Sequence, residues 1–272
     1  MSTTIHNIHK ETGAGWEILA QSGYSGEVKD DIAFIHNGGV NLMPPEREVL
    51  AQLDSLDQWC ECAIHLQCSG GKDLLSLWNL GAKRLIGVDI SETLLGYAAQ
   101  KSAALNAPAT WHCCDILDAP AELDGTADLV YTGKGALPWM VDIDAWAAVV
   151  ARLLKSGGYF FVFEGHPMTN LWSRDVDSLQ IRTDGASYFP NEAVENPGFP
   201  ASRLTRVLGE QTNRPQMVER MWRPSEVLNA LTNAGLHYVH FEEYPLLFWD
   251  QFDMPKTLSD RLPNTYSILM QK

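Results

Sequence analysis

Positive charge is scarce in this chain. Lys and Arg number 20 against 34 Asp and Glu, a formal net charge of −14. Proteins that bind duplexes need a basic surface to displace counterions from phosphate. Here the few cations are scattered, so neither nucleic acid nor an anionic membrane is an expected partner. Paired cysteines are also missing. The five cysteines, Cys60, Cys62, Cys68, Cys113 and Cys114, include no CxxC pair. Zinc-finger and thioredoxin-like readings therefore lack their spacing, no metal site is expected, and reduced, buried thiols of a cytoplasmic protein are the plainer reading. No stretch approaches the roughly 18 continuous apolar residues of a membrane span. The opening MSTTIHNIHKETG has no apolar signal-peptide region, which again points to the cytoplasm. Internal repeats and low-complexity tracts are absent too.

What is present is a regular alternation of short apolar runs and amphipathic stretches. Residues 1–55 read as a helical preamble, in which Trp16, Ile18 and Leu19 can face inward, and Pro44-Pro45 opens a helix. The segment SGYSGEVKDDIAFIHNGGVN, rich in glycine and polar residues, reads as a loop. From about residue 61 the runs CAIHLQC, RLIGVD, ATWHCCDI, ADLVYT and YFFVFE predict five strands, separated for the most part by helical patterns. Such an order means right-handed crossovers and a parallel sheet. PSEVLNALTNAGL then predicts a helix, and HYVHFEEY with NTYSILMQ a closing antiparallel, hairpin-like pair. Residues 56–272 thus form one α/β domain. Its rhythm breaks at 166–223, where prolines and aromatic residues suggest a cap inserted after the fifth strand.

The chemistry-bearing residues gather at the carboxyl ends of the predicted strands, where open α/β sheets bind ligands. HLQCSGGKD joins the first strand to a helix. Its small residues let backbone approach a ligand, although a simple tight turn reads equally well. Asp89 ends the second strand in GVDIS. A carboxylate there can accept both hydroxyls of a ribose, or it can cap the next helix. Asp115 follows the third strand, where it can meet an adenine amine or hold a turn. Nicotinamide binding asks for G-x-G-x-x-G, which this loop lacks.

HLQCSGGKD, GVDIS, CCDIL, DLVYT and LLKSGGYFFVFE together resemble the class I S-adenosylmethionine (SAM)-dependent methyltransferases, closely over about 61–165 and by topology over 224–272. HLQC, with Glu164-Gly165-His166-Pro167 after the fifth strand, also looks like an LQC-type bacterial subgroup of that family. The resemblance implies a Rossmann-like, doubly wound, seven-stranded, mostly parallel sheet with an antiparallel last strand. It also implies an N-terminal helical lid over the cofactor. The family's first motif reads acid-x-Gly-x-Gly-x-Gly. His65 stands at the acid, Gln67 and Ser69 at the first two glycines, and only Gly71 is retained.

Carried over residue by residue, the resemblance places SAM against Gln67, Cys68, Ser69, Gly70, Gly71 and Asp73. The ribose falls to Asp89 with Ile90 and Ser91, and the adenine to Asp115 and Ile116. The methionine part falls to Thr132 and Gly133, and Tyr24 and Asn37 close over the ligand. His166, at the end of the fifth strand, is the candidate general base. Lys134, Trp139, Trp172, Tyr188, Trp222 and Arg223 are candidates for the acceptor site, Lys134 by meeting an anionic group. The expected activity is methyl transfer to the O or N of a small molecule. An RNA or protein methyltransferase and a non-catalytic SAM-binding protein are the alternatives. A homodimer is left open.

Overall fold

The computed structural model describes residues 2–172, 180–182, 187–189, 192–195, 201–209, 214–248 and 256–272. Helices α1 (Ser2–Gln21), α2 (Val28–His36), α3 (Pro44–Leu50) and α4 (Leu56–Trp59) precede the sheet. Then come β1 (Cys62–Leu66), α5 (Lys72–Asn79), β2 (Arg84–Asp89), α6 (Glu92–Leu105), β3 (Ala109–Cys113), β4 (Ala127–Gly133), α7 (Ile143–Leu153) and β5 (Leu154–Gly165). Beyond β5 lie β6 (Val194–Glu195), α8 (Ala201–Leu208) and β7 (Val218–Glu219). The chain ends with α9 (Pro224–Asn233), β8 (His237–Tyr244), α10 (Lys256–Ser259) and β9 (Thr265–Gln271).

Seven strands form one sheet in the order β3-β2-β1-β4-β5-β9-β8, while β6 and β7 make a separate two-residue pair. Strands β1 to β5 run parallel, and β9 enters antiparallel between β5 and β8. The expected Rossmann-like, mostly parallel sheet with an antiparallel last strand is the fold observed. The strands step outward from β1 through β2 to β3, then return to β4 on the other side. That reversal opens a crevice at the carboxyl ends of β1 and β4, the usual ligand position in such sheets.

The apolar runs are continuous because helices cover both faces of the sheet. Every residue of β1 is buried. Cys62, Ile64 and Leu66 point to the face packed by α7 and α9, while Ala63 points to the face packed by α3 and α5. The same alternation puts His65 on the second face, where its ring meets Tyr131 of β4 with centroids 4.6 Å apart. Cys60, Cys62 and Cys68 are buried free thiols, whereas Cys113, on edge strand β3, is exposed.

Two local expectations are corrected. The segment read as a loop over 22–41 contains α2. Ile35 enters the core, and Asp31 pairs with Lys101 of α6 at 2.7 Å. These long-range contacts stabilise a short helix that its glycine-rich surroundings obscured. The closing strands are antiparallel as expected but form no hairpin. Residues 245–264 intervene, including α10, and Asn264 fastens that connection through its amide to the carbonyls of Pro245 and Ser259 at 2.7 and 2.9 Å. No helix among the described residues is long and apolar enough to cross a membrane.

Candidate functional site

At the sheet's switch point lies a cavity of about 410 Å³, within the roughly 300–1,000 Å³ usual for small-molecule sites. The ends of β1, β2 and β4 and the turn after β3 form its floor, and α1 and the 24–31 segment cover it.

The floor is the β1–α5 loop. Gln67 and Ser69 take φ of 56° and 49°, the left-handed region. That conformation costs a residue with a Cβ roughly 1–2 kcal/mol. It explains why the related first motif uses glycine at these two positions, and here hydrogen bonds sustain it instead. The Gln67 amide donates to the Ala136 carbonyl at 2.8 Å, Cys68 N–H to the Val88 carbonyl at 3.1 Å, and Ser69 N–H to Asp89 Oδ2 at 2.8 Å. Gly71, at φ 76°, leads into α5. A Cβ there would stand 2.7 Å from Trp111 and 2.8 Å from Ala98. Gly71→Ala is therefore expected to cost about 2–4 kcal/mol in urea unfolding, combining overpacking with left-handed strain.

Asp89 is 7% exposed at the end of β2. Its Oδ2 accepts from Ser69 N–H and its Oδ1 from Ser91 N–H at 3.0 Å, which aligns both oxygens at the cavity edge. Burial lifts its carboxyl above the usual range, against the backbone donors that favour the charge. Asp115 sits next door. Its Oδ1 accepts from Leu117 N–H at 3.0 Å, and its Oδ2 lies 2.7 Å from His9 Nδ1. Burial acts to raise this carboxyl, but the His9 and Leu117 hydrogen bonds prevail and hold it below the usual range.

At the other end, β4 delivers Gly133 and Lys134. The Lys134 ammonium donates to the Asn41 carbonyl at 2.9 Å and pairs with Asp73 at 3.0 Å and Glu46 at 3.3 Å. Burial pulls this amine down, but Asp73 and Glu46 outweigh it and hold it above the usual range. Glu46 is fully buried and accepts from the Tyr131 hydroxyl. Burial, reinforced by the Asp73 charge against the opposing pull of Lys134, pushes it up to about 7. Two carboxylates share one ammonium, so the second holds its proton more tightly. His65, also buried, is pushed down to about 4 by burial and lines the cavity as a neutral ring.

These two groups give opposite pH dependences. His65 titrates near 6.5 when unfolded, so its stabilising neutral state is fully present above that value and lost as pH falls towards 4. Glu46, raised from 4.5, stabilises most below 4.5 and loses that contribution as pH rises through about 7. Over the shared window the trends offset each other. His65→Gln is expected to remove one of them, so the variant's stability gains on the wild type's by about 2 kcal/mol as pH drops from about 6.5 to 5. Urea midpoints across that range measure it.

The cavity brings together Tyr24, Gln67, Cys68, Ser69, Gly70, Gly71, Asp73, Asp89, Ile90, Asp115, Ile116, Gly133, Lys134 and Trp139. It leaves out other expected residues. Asn37 caps α2. Ser91 caps α6 and donates to Glu17 of α1 at 2.6 Å. Thr132 is buried behind the loop, donating to the Leu66 carbonyl at 2.9 Å. Lys134 lines the cavity, but its three partners already occupy the charge that was expected to meet an anionic acceptor.

His166 is the main correction. Pairing of β5 with β9 carries it away from the switch point, and its N–H donates to the Asn264 carbonyl at 2.9 Å. The ring is 3% exposed, Nδ1 accepts from Met168 N–H at 3.2 Å, and Nε2 lies 2.9 Å from Glu243 of β8. Burial holds it below the usual histidine range despite Glu243. It does not line the cavity and has no ring nitrogen free to serve as a base there. Tyr188 stacks on His166 at 6.1 Å, and Arg223 pairs with Glu226 at 3.0 Å, both outside the cavity. Trp172 bridges to Ile181, also outside it. Trp222 is buried, and its indole N–H donates to the carbonyl of Met140, a wall residue, at 2.7 Å. It therefore supports the wall from behind.

Sequence reasoning missed the lid's contribution. His9, Thr12 and Trp16 all line the cavity from one face of α1, at the i, i+3, i+7 spacing of a helix stripe. That spacing was the available signal, masked by the polar composition of the segment. Asp31 and Lys101 were missed as well. Lys101 bonds both Asp31 and the Gly70 carbonyl, at 2.7 and 2.8 Å, and so ties α2 to the loop. Among the lining residues Lys72 and Lys101 are matched by Asp31, and Lys134 by Asp73. With Glu27, Asp89 and Asp115 the lining holds five carboxylates against three lysines, an excess of two that favours a cation.

A family described as methyltransferase domain matches residues 63–158, from β1 into β5. No curated protein matches the chain. Among solved structures, a SAM-dependent methyltransferase from Listeria monocytogenes, itself described as putative, superposes with a TM-score of 0.58 at 19% identity, covering 83% of this chain and 96% of that one. One from Mesorhizobium loti gives 0.56 at 18%, covering 83% and 96%. The geranyl diphosphate C-methyltransferase of Streptomyces coelicolor gives 0.54 at 14%, covering 83% and 78%. At these identities the structural likeness is one of fold.

Proposed function

We propose that this protein transfers a methyl group from SAM to the oxygen or nitrogen of a small acceptor with a flat or apolar body. The observation that carries the reading is Asp89. Its buried carboxylate is aligned by Ser69 and Ser91 at the second-strand end of a cavity with an acidic balance. The acid–diol match suits a ribose, and the excess of carboxylates suits a sulfonium. His9 Nε2, Thr12 Oγ1 and His65 Nδ1 are buried without a partner and belong to cavity-lining residues. Such atoms await a polar ligand, since an unmet buried group costs about 1–3 kcal/mol.

When bound, SAM supplies a methyl group already activated by its positive sulfur. The protein's task is then position and dryness. The β1–α5 loop and Gly133 line the cavity, where their backbone would lie against the ligand. Trp16, Tyr24 and Trp139 pack edge to face or tilted, with centroids 5.4–5.6 Å apart, and wall the cavity with aromatic surface. That surface favours an apolar or planar acceptor. A net charge of −14 favours a small molecule over RNA.

Calorimetry with SAM and with S-adenosylhomocysteine tests the cofactor half, and labelled methyl transfer into a metabolite extract tests the acceptor half. Binding of both nucleosides and a labelled small product are expected. No heat with either nucleoside would sink the reading.

A further inference from the structure

We infer that His9 of the N-terminal helix reads the adenine of the bound nucleoside, its Nε2 accepting the exocyclic amine while Asp115 positions the ring. The inference rests on the SAM reading above. It moves the adenine contact from the carboxylate after β3 to a histidine contributed by the lid.

Each Asp115 oxygen already holds one donor, whereas the acceptor beside it that stands empty is His9 Nε2. One oxygen takes Leu117 N–H and the other takes His9 Nδ1. A carboxylate held below its usual range is ionised and only accepts, so the hydrogen on the 2.7 Å contact belongs to His9 Nδ1. In the neutral imidazole that leaves Nε2 as an acceptor. This atom is buried, the residue is 3% exposed and lines the cavity, and Nε2 has no partner. Thr12 stands one turn further along the same face, 4% exposed, its hydroxyl also without a partner. The pair offers a fixed acceptor beside a hydroxyl that can donate, which matches an exocyclic amine next to a ring nitrogen.

Sheet order sets the position. Asp89 ends β2, and β3 lies directly outside it, with Asp89 in register with Cys113. A sugar held at Asp89 puts its base one strand further out, beside Asp115, Ile116 and His9. Ile90 and Leu94 line the same cavity with apolar surface for the ring faces. The helix is held close enough to take part. A Cβ on Gly13 would stand 2.8 Å from Ile90, and Glu17 accepts from Ser91 Oγ and Thr93 N–H at 2.6 and 3.1 Å.

The experiment compares S-adenosylhomocysteine with S-inosylhomocysteine, which carries an oxygen in place of the amine. Calorimetry on the wild type is expected to show about ten-fold weaker binding of the inosine compound, one lost hydrogen bond with a buried partner. His9→Ala should bring the two affinities within about two-fold of each other. Glu17→Gln, which loosens the helix without touching the base, should weaken both compounds and keep the ratio. An unchanged ratio in His9→Ala overturns the assignment to His9 and leaves the SAM reading standing, whereas absence of binding by both compounds to the wild type overturns both. Nitrogen-15 spectra of the wild-type histidines need no variant. The unprotonated Nε2 signal of His9 should move on adding S-adenosylhomocysteine and stay in place with the inosine compound. A protonated Nε2 in the complex, or the same shift with both compounds, also overturns the assignment.

Discussion

Asp89→Asn is expected to weaken binding of S-adenosylhomocysteine about 100-fold, and of SAM by at least as much, in calorimetry. The carboxylate has two oxygens, each already bonded to one backbone N–H, and each with capacity left for a ribose hydroxyl. Hydrogen bonds to charged groups are worth about 1.5–3 kcal/mol each, and one amide in place of the carboxylate removes the charge and one acceptor. Its NH2 must also face Ser69 N–H or Ser91 N–H, which repels the loop. Asp89→Ala should add a stability loss of about 2 kcal/mol, because both N–H groups then lack a partner. The sugar is common to both nucleosides, so both lose these bonds, and SAM loses in addition one carboxylate's attraction for its sulfonium. An Asn variant that binds within three-fold of wild type would remove the sugar from Asp89.

Glu164→Gln is expected to lower stability by about 3 kcal/mol in urea unfolding, and Glu164→Ala by about 4 or more. This residue is 2% exposed at the end of β5. Its Oε1 accepts from Gly135 and Gly165 N–H at 2.6 and 2.7 Å, its Oε2 from Ala136 and Leu137 N–H at 2.9 and 3.0 Å. Burial raises its carboxyl above the usual range, and the four donors act the other way. Glutamine would direct its own NH2 at two of those donors. The consequence reaches the cavity, because the 135–137 turn precedes wall residues Trp139 and Met140 and receives the Gln67 amide. S-adenosylhomocysteine affinity should therefore fall along with the unfolding midpoint. A variant with wild-type stability and affinity would show that the turn holds its shape without this carboxylate.

Glu164 also shows where reading the sequence stopped. The Glu-Gly-His-Pro stretch drew attention to its histidine as a base, yet the glutamate organises the site and His166 faces β8. Nothing local separates the two. The strand pairing of β5 with β9, more than a hundred residues later in the chain, turns His166 away. Lys134 is similar. A lysine at a strand end reads as a free cation until Asn41, Glu46 and Asp73 arrive from three other parts of the chain. Gln67 and Ser69 looked like losses from a glycine motif. Their backbone keeps the left-handed turn all the same, because partners on β2 and on the turn after β4 sustain it.

The sequence by itself determined the sheet, its parallel character, the loop after β1, and the two acids at the ends of β2 and β3. Apolar runs, helix periods and caps are local signals, and right-handed crossovers leave few ways to assemble them. Only the tertiary structure decided which polar side chains face the cavity and which serve the core. That choice depends on long-range partners: α1 docking its His9, Thr12 and Trp16 over the crevice, α2 tied down by Lys101, and β9 drawing His166 aside. A buried polar group is defined by what it meets, and in this chain most of those partners are distant in sequence.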